Sequence, residues 1–402
     1  MQLNHSLQLA YCTNIHRGET WPETFSSLQN YALAVRERVY PGKPFAIGLR
    51  LSEPSAVSLT DPDTLLEFKR WLGRNNCYVF TINGFPYGLF HGGNIKERVY
   101  RPDWTSPERV AYTNMLFNLL VELSPSGLAG SVSTLPGTFK EFHPSLGSIK
   151  AIRQNLWQCV EHIARLSEKT GRDLHLGLEP EPLCLLESSA ETIHLFDQLR
   201  AEHPRDERLA RHLGVNYDAC HFAVEFEEPL NALGCLVNYG IRISKIHVSS
   251  ALKVAPTPDA RRELRKFADD IYLHQVVERA PDGRRLIYRD LPDALAAADA
   301  QAEAGESPLP EWRIHFHVPL HAPPAAPLEN TNDHLCGVFD VLRDAPELCQ
   351  HLEMETYTWE VLPPDLRAHN VVEQLVGEYQ WTLNQLAERN LAPQAGNFGA
   401  RP

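Results

Sequence analysis

Four short stretches in the second half of the chain carry the residue types that metal ions and proton transfers need. They are Gly177-Leu178-Glu179-Pro180-Glu181, Asn216-Tyr217-Asp218-Ala219-Cys220-His221, Lys245-Ile246-His247 and Leu352-Glu353-Met354-Glu355-Thr356. Two Glu carboxylates, one Asp carboxylate and one imidazole make an oxygen-rich set that suits Mn²⁺, Mg²⁺, Co²⁺ or Zn²⁺, and the acids repel one another without a cation. A lone Glu in such a place is more often a loop ion pair, but four such stretches in succession ask for one common explanation. His221, three residues after Asp218, can reach the same place as substrate binder, acid/base or second metal ligand. His315 and His317, two apart in the β-like run 312–318, share a face and can both turn toward one cavity. His162, His194, His203, His212 and His369 fall in helical or polar segments and read as solvated.

The first half is quieter. Asn14, His16, Asn83 and the aromatic and glycine stretch 84–93 follow early strands, where polar and stacking groups could hold a sugar-like substrate. A packed loop using Gly and Pro for its turns explains the stretch equally well.

These residues need elements to aim them. Short β-rich runs alternate with longer helical ones, and strands are predicted at 8–13, 44–51, 77–82, 130–134, 174–179, 214–218, 243–248 and 352–356, with 312–318 a ninth. Asp61-Pro62, Ser106-Pro107 and Thr257-Pro258 each place a cap residue before a proline, and Ser188 with Glu191 fits a capping box, so helices begin there. Ile149, Ile152, Leu156, Cys159, Ile163 and Leu166 recur at helical spacing, as do Val372, Leu375, Tyr379, Leu383 and Leu386. Eight strands alternating with helices predict an α/β fold, a (β/α)8 TIM barrel, whose reactive residues gather at the carboxyl ends of the strands. A doubly wound open sheet is the alternative, and no G-x-G-x-x-G or Walker-type loop supports it. Leu174, Leu176 and Leu178 then pack under helices and Glu179 points inward, and with Leu352 and Met354 facing outward so do Glu353 and Glu355. Two β-like runs, 272–279 and 285–288, around Ala280-Pro281-Asp282-Gly283 predict a hairpin inserted at about 270–290, after the seventh strand. Residues 319–327 read as a stiff loop, residues 1–391 as a single barrel and 392–402 as a flexible tail.

Composition narrows the function classes. The 402 residues hold 38 basic and 51 acidic side chains, a net charge of -13, with no basic block to track phosphates, which argues against nucleic acid as the main partner. No apolar run is long enough for a membrane span, and the start lacks the pattern of a signal peptide, so a cytoplasmic protein is expected. Eight scattered cysteines without a CxxC pair read as buried small hydrophobes.

The constellation resembles the xylose-isomerase-like, endonuclease-IV-like barrel superfamily over residues 6–391. That resemblance implies a divalent metal (Zn, Mn, Mg or Co) held by Glu179, Asp218, His247 and Glu355. His221 then stands at the superfamily's histidine three after the Asp. His315-x-His317 resembles the Asp-x-His element after strand seven of the endonuclease branch, and counts on that basis as an extension of that strand. Strands three and four lead here into Asn83 and Ser133-Thr134-Leu135-Pro136, poor Zn²⁺ ligands, which argues against a trinuclear zinc site. More narrowly, Tyr11-Cys12-Thr13-Asn14-Ile15-His16, residues 81–88, Asp218-Ala219-Cys220-His221, Tyr272-Leu273-His274-Gln275 and Glu355-Thr356-Tyr357-Thr358-Trp359 resemble the EboE family of metabolite-traffic proteins. That family implies a role in secondary-metabolite precursor processing or traffic, with other proteins of its gene cluster as partners.

The expectation is a metal-dependent isomerase or epimerase of a sugar-like small molecule. Glu179, Glu355, His221 and His317 would be catalytic, and Asn14, His16, Asn83, His221, His274 and His315 would hold substrate. A barrel that binds and hands over a metabolite without turnover, and a metal-dependent phosphoesterase, are the alternatives.

Overall fold

Strands form where β-branched, leucine and aromatic side chains can be covered on both faces, as a parallel sheet requires. The computed structural model describes residues 1–85, 96–268, 271–306, 310–364, 366–367 and 370–394. Its strands in chain order begin with β1 (Gln8–Cys12), β2 (Phe45–Arg50), β3 (Cys77–Asn83), β4 (Gly130–Thr134), β5 (Leu174–Leu178), β6 (Leu213–Asp218) and β7 (Arg242–Val248). Then come β8 (Leu252–Val254), β9 (Val276–Arg279), β10 (Arg285–Tyr288), β11 (Glu311–Ile314), β12 (Glu329–Asn330) and finally β13 (His351–Met354). The first seven and β13 close into a barrel of order β1-β13-β7-β6-β5-β4-β3-β2. Every neighbouring pair is parallel, and Gln8 opposite His351 joins the first strand to the last. With helices around it, this is a (β/α)8 TIM barrel.

The helices start where their caps predict. Asp61, Ser106, Ser188 and Thr257 each accept a hydrogen bond from a backbone N–H of the first turn. At Ser188 only half of the expected box forms, because the Glu191 carboxylate turns to Glu187 N (2.7 Å). Leu146–Thr170 buries Ile152, Leu156, Cys159 and Ile163, and Val371–Glu388 buries Leu375, Tyr379, Leu383 and Leu386. Each such side chain taken from water stabilises the fold by about 1.5–3 kcal/mol. Leu174, Leu176 and Leu178 join this outer core. His175 points the other way, its Nδ1 paired with Ser244 Oγ and its ring 5.2 Å from that of His351 across the barrel. The interior is therefore polar at depth, unlike the branched aliphatic layers that usually fill such barrels.

Between β7 and β13 the chain builds a second sheet, antiparallel, of order β10-β9-β11-β8-β12. Its core is Leu252, Val276, Leu295, Trp312, Ile314 and Phe316. The segment expected as an inserted hairpin supplies two of its five strands, β9 and β10. The run 312–318 is not an extension of strand seven: β11 ends at Ile314 and pairs with β8 and β9. Antiparallel strands need only short connections, so a chain leaving the barrel can pair with itself locally. Beyond β11 the backbone bends, with Phe316 N on Ile314 O (2.8 Å) and Val318 N on Ser250 O (2.9 Å), which carries His315 and His317 to the barrel mouth.

Two further expectations are corrected. His212 is buried, its Nδ1 donating to Leu174 O (2.8 Å), because it sits against the base of β5. Leu391 and Ala392 pack into the main core, and residues 395–402 of the expected tail lie outside the described residues. Six of the eight cysteines are buried and all are free. No helix among the described residues is long and apolar enough to cross a membrane.

Candidate metal centre and active site

The strand ends deliver their acids to one place. Asp218 ends β6 and caps the helix Ala219–Val224: its Oδ1 accepts from Cys220 N (2.8 Å), His221 N (3.2 Å) and Ser249 Oγ (2.7 Å). That anchoring leaves Oδ2 facing His247 Nδ1 at 3.1 Å. Glu179 follows β5, held by its N–H on Thr134 O (3.0 Å), and its Oε1 lies 3.1 Å from the same His247 Nδ1. Ligand atoms of Glu179, Asp218 and His247 all lie within 4.8 Å of one another, and all three residues are buried.

Glu355, the fourth expected ligand, stands apart from that group. Its Oε1 accepts from Asn14 Nδ2 (2.7 Å) and its Oε2 from Cys12 Sγ (2.6 Å), both at the end of β1. Around the barrel β13 and β5 flank β7 and β6, so Glu355 and Glu179 approach His247 and Asp218 from two sides.

Three imidazoles complete the wall, with ring centroids 4.6 to 5.7 Å apart for His221, His315 and His317. Each anchors its Nδ1 on a carbonyl oxygen: His221 on Pro180 O (3.0 Å), His315 on Gln275 Oε1 (2.7 Å) and His317 on Glu355 O (2.8 Å). A carbonyl only accepts, so Nδ1 carries the hydrogen and Nε2 is the nitrogen left to face the site. Nε2 of His315 and of His317 are buried without a hydrogen-bond partner.

The charges explain one another. Burial would raise Glu179 and Asp218, but His247 beside the first and His221 and His247 beside the second hold both below the usual carboxylate range. Burial would depress His247, yet the carboxylates, Glu179 foremost, hold it well above an ordinary imidazole. Burial pushes Glu355 up to about 7, with Glu353 and Glu179 opposing His247. Burial also depresses His315 and His317.

A cavity of about 60 Å³ opens above these groups, the space of a few water molecules. Asn14, Glu179, His221, His315, His317 and Glu355 line it together with Phe85, Val99, Tyr100, Tyr272, Leu273 and Tyr357. The lining also includes Glu181, to which sequence reasoning gave no role. Burial pushes its carboxyl up to about 7, and its Oε1 accepts from Tyr100 OH (2.6 Å). Its place two residues after Glu179 was the available signal, masked by the intervening Pro180.

Three expected substrate-binding residues are not brought to this cavity. His16 pairs with Tyr11 OH and stacks on Tyr31 at 4.5 Å, beside β1. His274 pairs with His315 O (3.1 Å) and packs against Phe316. Asn83 lies beneath the site, donating to Glu353 Oε1 (2.9 Å) and accepting from Ser133 Oγ (2.6 Å) and Lys245 Nζ (2.7 Å), so its amide is consumed inside the barrel. Residues 86–93 of the aromatic and glycine stretch lie outside the described residues.

Glu353 fits its layer because of Gly48: a Cβ there would stand 1.9 Å from Glu353 Oε1. Gly48→Ala should therefore displace that carboxylate and cost about 1–3 kcal/mol, read as a lower urea midpoint with an unchanged slope.

The donors present fit a divalent cation. Two carboxylates and an imidazole converge, Glu179 Oε2 is buried with no hydrogen-bond partner, and His247 is the counter-charge closest to both acids.

Fold and site together define a (β/α)8 barrel with a buried acid-and-imidazole centre at the carboxyl end of its strands. No protein-family model matches the chain, and no curated protein does. Among solved structures it is similar to a xylose isomerase-like TIM barrel protein from Mycobacterium smegmatis in complex with magnesium, at 12% identity, covering 97% of this chain and 100% of that one, TM-score 0.49. It is similar to an L-ribulose 3-epimerase at 11% identity, covering 98% and 99%, TM-score 0.48. It is also similar to the IOLI protein with a bound zinc atom, at 12% identity, covering 95% and 99%, TM-score 0.45. At these identities and TM-scores the likenesses carry no argument about chemistry; the barrel rests on its own strand pairing.

Proposed function

We propose that this chain is a divalent-metal-dependent isomerase or epimerase acting on a sugar or sugar-like metabolite. The observation that carries the reading is the convergence of Glu179, Asp218 and His247 beneath a cavity that Glu355 enters from the other side. Glu179, Asp218 and His247 would hold the ion, with Glu355 as a fourth ligand once it leaves Asn14 and Cys12. When bound, the ion supplies the positive charge that stabilises an enediolate developing on adjacent substrate oxygens. Glu179 takes the proton from the carbon next to the carbonyl, and Glu355 delivers one from the opposite side. His221 and His317, their Nδ1 atoms committed to carbonyls, hold substrate oxygens through Nε2. The aromatic residues of the lining cover the carbon skeleton and keep water from the reacting carbons.

The test is solvent deuterium exchange into a panel of ketoses by the metal-loaded protein. Exchange is expected, and Glu179→Gln should lower it by about 10²–10⁴-fold with the fold intact. Metal-loaded wild type with no exchange on a broad panel would sink the reading and leave a barrel that binds and hands over a metabolite, as the EboE resemblance implies.

One observation favours a second reading, hydrolysis of a phosphate ester. The Nε2 atoms of His315 and His317, with His221 beside them, could hold a second ion near the first. Two metals per chain and release of phosphate from model esters would support it.

A further inference from the structure

Beneath the metal centre lies an ion pair that the proton transfers above do not use. Lys245 and Glu353 are both fully buried, and Lys245 Nζ spends its three hydrogens on Glu353 Oε2 (2.5 Å), Asn83 Oδ1 (2.7 Å) and Ser133 Oγ (3.0 Å). Glu353 Oε1 takes the Asn83 amide (2.9 Å), and its Oε2 also lies 3.4 Å from His247 Nε2. The backbone dictates this arrangement. Lys245 and His247 alternate along β7 and so share the inward face, and His247 stands in register with Glu353 on β13. Gly48 on β2 leaves the space that the Glu353 carboxylate fills.

Stability does not account for the pair. Two charges removed from water repay their desolvation only with good geometry, and replacing a buried pair with apolar side chains is often neutral or stabilising. Its geometry does have a consequence for the residue above. With Nε2 turned to Glu353, the ring of His247 can point Nδ1 only at the gap between Glu179 and Asp218 (3.1 Å to each). A metal-binding imidazole is commonly aimed in this way, by a carboxylate on its far nitrogen.

We infer that Lys245 and Glu353 are positioning residues: the lysine pins the carboxylate, and the carboxylate aims His247 at the ion held by Glu179 and Asp218. The inference rests on the metal reading given above. Asn83, Ser133 and Gly48 serve the same end by fixing the pair within its layer.

The test compares wild type with the double variants K245M/E353M and K245M/E353Q. Zn²⁺ affinity is read by competition with a chromophoric chelator, the ligand field by the Co²⁺ absorption spectrum, and the fold by circular dichroism and thermal melting. K245M/E353M, apolar and of similar volume, should stay folded, bind Zn²⁺ about 10–100-fold more weakly and shift the Co²⁺ bands. K245M/E353Q keeps an oxygen opposite His247 Nε2 and should recover about half of that loss on a logarithmic scale. A merely structural pair would change the melting temperature and leave the affinity and spectrum of the folded protein alone. Wild-type Zn²⁺ affinity and an unshifted Co²⁺ spectrum in folded K245M/E353M overturn the inference while leaving the metal reading standing. If the methionine pair fails to fold, K245M/E353Q decides, and unchanged affinity there overturns it too. A wild type that binds neither ion overturns the metal reading itself, and the inference with it.

Discussion

Asp218→Asn should abolish the divalent-metal binding proposed above while leaving the chain folded. The two oxygens of Asp218 have separate duties: Oδ1 caps the following helix and accepts from Ser249, and Oδ2 alone faces His247. An asparagine keeps the first duty with its amide oxygen. On the other side it sets an NH₂ group against His247 Nδ1 and removes one of the two negative charges at the centre. Losing a group that only aims a ligand typically costs 10–100-fold in affinity, so losing a ligand should cost more than about 100-fold. Elemental analysis after dialysis, with Glu179→Gln in parallel, measures this, and circular dichroism establishes that the fold survives. Stoichiometric metal in a folded Asp218→Asn protein would move the binding site away from this carboxylate, toward the imidazoles of His221, His315 and His317.

The second large effect is on stability against pH, at Glu378. This carboxyl lies on the inner face of Val371–Glu388, fully buried, accepting from Thr356 Oγ1 (2.6 Å) and Gln374 Nε2 (2.7 Å). Burial pushes it from 4.5 up to about 7, against the opposing help of those two donors. Between these values the folded chain holds a proton that the unfolded chain has released, so stability falls as pH rises through the window. Below about 4.5 the penalty is absent, and above about 7 it is complete, at about 3 kcal/mol. Glu378→Gln fits the same space, and the Thr356 hydroxyl can reverse to accept from the new amide. The variant should match wild type near pH 4.5 and exceed it by up to about 3 kcal/mol near pH 8, read from urea midpoints at the two pH values. An equal difference at both would mean that folding leaves Glu378 ionised.

Much of this was legible in the sequence. The eight barrel strands announced themselves by β-rich runs at regular intervals, and strand parity alone sent Glu179, Glu353 and Glu355 inward. Parity would also have paired Lys245 with Glu353, since each lies two residues before a recognised ligand on strands that close side by side. What parity could not give was depth. Asn83 and His16 follow their strands as promisingly as Asn14 does, yet Asn83 is spent on Lys245, far off in sequence, and His16 on Tyr11, five residues back on the preceding strand. The second sheet was legible only in part for a related reason. β8 and β12 are three and two residues long, too short for any period, and they pair with each other across residues 255–328. Such strands exist because a partner is present, and local sequence has no record of that partner.

The seam between β1 and β13 bears on how the protein is made. Gln8 lies against His351, so the first strand leaves the ribosome long before the strand that will cover its edge has been translated. At 5–20 residues per second that delay is roughly 20–70 s, during which one edge of β1 exposes unpaired N–H and C=O groups to any other strand nearby. The same seam carries the contacts of Cys12 and Asn14 with Glu355, so that side of the metal centre assembles only after the ring has shut. On the metal reading proposed above, the Glu355 ligand is thus the last to arrive, and a nascent chain that stalls before β13 remains an open sheet, vulnerable to strand exchange and without the carboxylate that completes its centre.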